Sequence, residues 1–115
     1  MPCLKIHTNL SPQEPRLDEA ISALSPKIAE ALEKPEDYVQ VVILAGLKMT
    51  FGGSPNPTAF VELKSIGLPQ EKAPMLAELI CGELHQILSI PPSRVFIEFT
   101  NSTREMFAWD SKIFG

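Results

Sequence analysis

The chain has 115 residues, 44% hydrophobic and 21% charged, the make-up of a single globular domain over residues 1–115. A net charge of −4 argues against a nucleic-acid partner, because phosphate binding needs a basic face. Two cysteines (Cys3, Cys81) and two histidines (His7, His85), scattered along the chain, argue against a bound metal and suit free thiols in a reducing compartment.

In chain order, Met1 is followed at once by Pro2. Proline is a tolerated second residue, which alone accounts for it. The alternative is that loss of Met1 leaves Pro2 as the terminus, with a free secondary amine that no side chain supplies. The N-terminus lacks a basic-then-apolar signal, and no stretch approaches the ~20 apolar residues of a membrane helix. The expectation is a soluble, cytoplasmic chain with no membrane partner, and with secretion outside the classical route left open.

"CLKIHTNL" alternates Leu4, Ile6 and Thr8 with Lys5 and His7, which predicts a strand. "SPQEP" reads as a loop. Leu17, Ile21, Leu24, Ile28, Ala31 and Leu32 then recur every three or four residues, the spacing of an amphipathic helix. Pro26 inside it predicts a kink or a break. "EKPEDY" ends the helix, and "YVQVVIL" is β-branched enough for a strand.

The second half repeats this plan. "TAFVELKSI" alternates as a strand, and Met75, Leu76, Leu79, Ile80, Leu84, Ile87 and Leu88 mark a helix. "IPPSRVFIEFT" matches "KPEDYVQVVIL" at an offset of about fifty-six residues. Two tandem βαβ units follow, each with a right-handed crossover and parallel strands. The fold class is α/β, more narrowly an α+β two-layer sandwich of a four-stranded mixed sheet and two helices. Ile43, Val61, Phe96 and Phe99 are expected to make both sheet faces apolar, so that other subunits cover the free face. The tail, with Met106, Phe107, Trp109, Ile113 and Phe114, reads equally as a pocket or subunit contact or as a closing strand.

The ordered set "MP", "TNL", "KPEDY", "MTFGGS", "SIG", "LICGELHQIL", "IPPSRVFIEF" and "AWDSKIFG" resembles the macrophage migration inhibitory factor family of the tautomerase superfamily, over essentially the whole chain. The resemblance implies a homotrimer with a central channel and active sites between adjacent subunits. It implies keto–enol tautomerisation of phenylpyruvate-like α-keto acids, with the processed Pro2 as general base and then acid, and with no cofactor or metal. Lys34 matches the residue that meets the substrate carboxylate, and Ile66 a position whose backbone N–H meets substrate. Tyr38 matches a pocket aromatic, while Trp109 and Phe114 fit a wall for a phenyl ring.

A base works best with a pKa near ambient pH. A secondary amine in water is mostly protonated, but burial and a nearby cation such as Lys34 both lower its pKa. Three positions depart from the family pattern. Phe96 stands where animal members have tyrosine, so a hydroxyl is lost. Glu98 replaces an asparagine, and its carboxylate would repel an anionic substrate and raise the amine's pKa unless paired or turned away. Phe107 replaces a smaller aliphatic residue and narrows the mouth. Thr58 and Val61 stand where the animal cytokine has a CxxC pair, which removes that route to thiol exchange. Of the arginines, Arg16, Arg94 and Arg104, none is expected in the pocket. A cytokine-like binding protein, using the trimer surface to engage a receptor, is the alternative function.

Overall fold

The side chains of β1 (Cys3–Thr8) sort as their alternation predicts: Leu4, Ile6 and Thr8 are fully buried, and Cys3, Lys5 and His7 are half-buried on the opposite face. The computed structural model describes residues 1–114. β1 leads through α1 (Leu17–Leu32) to β2 (Gln40–Leu44), and β3 (Ala59–Ile66) leads through α2 (Ala73–Leu88) to β4 (Val95–Ser102). Each unit pairs its own strands in parallel, and the units join through antiparallel β1 and β3, giving the order β2-β1-β3-β4. Corresponding ends lie fifty-six residues apart: Cys3 and Ala59, Leu17 and Ala73, Leu32 and Leu88.

Both helices pack on one face of the sheet. Leu24 and Ile28 of α1 and Leu76, Ile80, Leu84 and Leu88 of α2 meet Leu4, Ile6, Val61 and Leu63 in one core. Full burial of each such side chain is worth about 1.5–3 kcal/mol. Asp18 and Glu19 sit in the first turn of α1, where the helix dipole favours negative charge, and Pro74 occupies the start of α2, where its missing N–H costs nothing. Lys27 of α1 pairs with Glu83 of α2, and the Lys72 ammonium donates to the Ala31 carbonyl at 2.9 Å, tying the start of α2 to the end of α1.

Four sequence expectations need correction or refinement. Pro26 neither breaks nor ends α1, which runs unbroken across it. Pro26 and Ser22 are both exposed, so water can satisfy the Ser22 carbonyl that loses its N–H partner. Tyr38 lies outside β2: Pro35 starts a 3₁₀ turn, Glu36–Tyr38, closed by the Tyr38 and Val39 N–H groups on the carbonyls of Pro35 and Glu36.

The sheet is not apolar on both faces. Register aligns Ile43, Ile6, Val61 and Ile97 across all four strands, and Leu63 with Phe99, all on the helix side. Of the four residues expected to split between the faces, only Phe96 lies on the free one. That face carries Val42, Lys5, Glu62 and Glu98 in one row and Leu44, His7, Phe60 and Phe96 in the next, so it is mixed, one row mostly charged and the other mostly apolar. Leu44 and Phe96 are exposed there, so apolar surface on this face is confined to that row and not spread over the sheet.

The tail does not close the main sheet. It forms its own hairpin, β5 (Ala108–Trp109) with β6 (Lys112–Ile113), turning through Asp110 and Ser111 at positive φ. Cys3 and Cys81 are free and half-buried, as expected.

Candidate active site

Pro2 is buried at the head of β1, where parallel pairing with β2 sets it against the end of the 3₁₀ turn. Its carbonyl accepts a hydrogen bond from the Gln40 N–H at 3.0 Å. A concavity of about 360 Å³ opens beside it, lined by Met1, Pro2, Cys3 and Gln40, by Asp37 of the 3₁₀ turn, and by the aromatic rings of Tyr38, Phe107 and Trp109. Tyr38 and Trp109 meet edge to face at 5.3 Å, an arrangement that ring quadrupoles favour. Phe107 stands 6.2 Å from Phe114, whose N–H donates to the Phe107 carbonyl.

A second concavity, about 440 Å³, adjoins the first. It is lined by Met1, Lys34, Pro35, Tyr38, Ile66, Gly67, Arg104 and Phe114. Met1 and Tyr38 belong to both, so Met1 stands between Pro2 and Lys34.

Lys34 reaches the cavity through the way α1 ends. Glu33 adopts the left-handed conformation (φ 55°), its N–H bonds the Glu30 carbonyl, and the Lys34 N–H bonds the Ala29 carbonyl at 2.9 Å. This 6→1 closure turns the chain off the helix axis and sends Lys34 toward the terminus. The terminal amine of Met1 has its pKa pushed below the ordinary value, first by burial and second by the Lys34 charge. An amine at this place is thus held closer to the unprotonated form than one in water.

Of the predicted site residues, Pro2, Tyr38, Phe107 and Trp109 gather around the first concavity, and Lys34, Ile66, Tyr38 and Phe114 around the second. Phe96 and Glu98 are not brought to either. Phe96 is 64% exposed on the free face of β4 and packs on Phe51 at 5.0 Å, and Glu98 lies in register with Glu62. The expectation that no arginine reaches the pocket is corrected: Arg104 lines the second concavity. The signal lay in the register, since parallel pairing sets Ser102 beside Ile66, and Gly67 N–H points to the Ser102 carbonyl. Residues just after Ser102 must therefore emerge beside Gly67. Among the described residues, no group of three or more His, Cys, Asp or Glu side chains could hold a metal, and no helix is long and apolar enough to cross a membrane.

Two βαβ units around one mixed sheet, with the amino terminus set in a cavity, are the architecture of the tautomerase superfamily. Within it the chain belongs to the macrophage migration inhibitory factor family, whose model matches residues 1–115. It is 37% identical over 120 residues to a macrophage migration inhibitory factor homolog of Brugia malayi, and 32% identical over 118 residues to the macrophage migration inhibitory factor of Xenopus tropicalis, with both partners covered in full each time. Among solved structures, a homologue from Prochlorococcus marinus superposes with a TM-score of 0.92 at 35% identity, covering 98% of this chain and 99% of that one.

Proposed function

We propose that the chain, as one domain over residues 1–115, is a cofactor-independent keto–enol tautomerase of phenylpyruvate-like α-keto acids. The observation that carries this reading is the position of Met1, between a concavity with Pro2 and aromatic walls and one with Lys34 and Ile66. Removal of Met1 joins the two and moves the terminal amine onto Pro2, about 3.8 Å along the chain. The substrate carboxylate then meets Lys34 and the Ile66 backbone, and the phenyl ring lies against Tyr38, Phe107 and Trp109. Pro2 nitrogen removes the proton from the carbon or enol oxygen and returns it at the other atom, with no net change in the amine.

Burial and Lys34 lower the pKa of the Met1 amine, and a Pro2 amine freed beside it meets the same two causes, which favour the neutral form that this step requires. Phe96 and Glu98 enter the site only from an adjacent subunit of a homotrimer, since within one chain they lie on the far strand. There Phe96 would supply a ring without a hydroxyl, and Glu98 a carboxylate that weakens binding of an anion.

The experiment is phenylpyruvate ketonisation by protein of verified mature mass, beside Pro2→Gly. General-base catalysis is worth 10²–10⁴-fold, so the variant should lose at least about a hundredfold in kcat while keeping its assembly. Equal rates in both proteins would rule Pro2 out as the base. The second reading, a cytokine-like binding protein, draws on the exposed Met106 (84%) and Ile113 of the tail, which line neither concavity. Receptor binding that survives Pro2→Gly and is lost on changing that surface would favour it.

A further inference from the structure

The second concavity holds two cationic side chains, Lys34 and Arg104, and among the described residues no carboxylate lines it. Among the described residues, neither cation forms an ion pair, a state they share with Lys5, Lys48, Lys64, Arg94 and Lys112, but these two line one concavity. One carboxylate of a simple α-keto acid leaves one of these charges unanswered. We infer that Arg104 is a specificity-determining residue that recognises a second anionic group, so that the site takes enolisable α-keto dicarboxylates as well as aryl α-keto acids. This inference rests on the tautomerase reading for its chemistry, but its recognition claim can be tested apart from turnover.

The two cations are not equivalent. Lys34 lies near enough to the terminal amine to depress its pKa. Arg104 is assigned the second anionic group because it enters the concavity from beyond β4, beside Gly67, and not from the end of α1. Lys34 follows the end of α1, and Arg104 opens a separate 3₁₀ turn, Arg104–Met106, beyond β4. The two charges thus approach from different parts of the fold, with Ile66 and Gly67 also lining the cavity. A planar guanidinium can bind a carboxylate through two parallel hydrogen bonds. Arg104 is exposed in the free chain, so its contribution is moderate.

The test measures kcat/KM of mature protein for enol-to-keto conversion of oxaloacetate and of phenylpyruvate, in the wild type, Arg104→Ala and Arg104→Lys. The expected result is a drop of about fivefold in the diacid-to-monoacid selectivity ratio for Arg104→Ala, partly restored in Arg104→Lys. Equal losses on both substrates, or none on either, would overturn the assignment. Calorimetric titration with succinate and with butyrate, which are not turned over, separates the two claims. A succinate-to-butyrate affinity ratio that falls in Arg104→Ala supports the recognition role even in a protein with no tautomerase activity. An unchanged ratio overturns that role even in an active enzyme.

Discussion

The two βαβ units share a backbone plan and put it to different uses. Where the first unit has Lys34, after a left-handed residue at the end of α1, the second has Ile90, after Ser89 (φ 60°), and Ile90 is fully buried. Where the first has Tyr38 at the end of a 3₁₀ turn, the second has Arg94 at the end of the turn Pro92–Arg94. Tyr38 lines a cavity. Arg94 instead donates to the carbonyls of Phe51, Ser54, Asn56 and Pro57 at 2.9–3.1 Å, with its guanidinium 5.4 Å above the Phe51 ring. Where the first unit has Pro2, the second has Thr58, whose hydroxyl donates to the Arg94 carbonyl at 2.6 Å. The fold needs the turns at these places and leaves their side chains free. In the second copy these side chains are taken up by packing and hydrogen bonds, and in the first they line the concavities beside Pro2 and Lys34.

The largest test of this contrast is Ile90→Lys, which writes the first unit's residue into the second. An ammonium at a fully buried site without a partner should cost at least about 4 kcal/mol, read as a lower denaturation midpoint. A midpoint unchanged from wild type would mean that the two positions are interchangeable and the contrast empty.

A smaller effect is expected from Lys34→Ala, read on the pH profile of phenylpyruvate turnover. Removing the cation relieves the protonated amine, so its pKa rises and the ascending limb of kcat/KM moves to higher pH. Burial remains, so the pKa stays below its ordinary value. With the lost carboxylate contact, kcat/KM at neutral pH should fall about tenfold. A limb that stays in place would separate Lys34 from the amine.

The smallest effect sharpens what the units share. Ser89 holds a left-handed conformation that costs any residue with a Cβ, so Ser89→Gly should raise stability by about 0.5–1 kcal/mol in thermal melts. A loss of stability would show that the turn depends on the Ser89 side chain.

Most of the fold is legible in periodicity. Leu4, Ile6 and Thr8 at period two, Leu24 and Ile28 at period four, and the fifty-six-residue offset carry the strands, the helices and their pairing. What periodicity cannot carry is the face that a residue joins once strands are in register. Ile43 and Phe99 read as candidates for either face, and only pairing with Ile6 and Leu63 assigns them to the helix side. Tyr38 is aromatic and follows the helix, which suits a strand by propensity, yet Pro35 starts a turn that claims it first.

The candidate site divides in the same way. Pro2, Lys34, Tyr38, Ile66, Phe107, Trp109 and Phe114 could be named because their motifs stand in a recognisable order. Arg104 could not, because "STREMF" has no periodic or motif signal, and its place depends on where β4 ends beside Gly67. Phe96 and Glu98 are on the far strand, so their part in the site belongs to an assembly and not to this chain alone.

The chain has a single tryptophan, and Trp109 stands in the wall of the first concavity, edge to face with Tyr38. Its intrinsic fluorescence therefore originates at the candidate site, with no second indole to dilute the signal. Ligand occupancy can be followed optically in the unlabelled protein, including in variants that no longer turn over substrate.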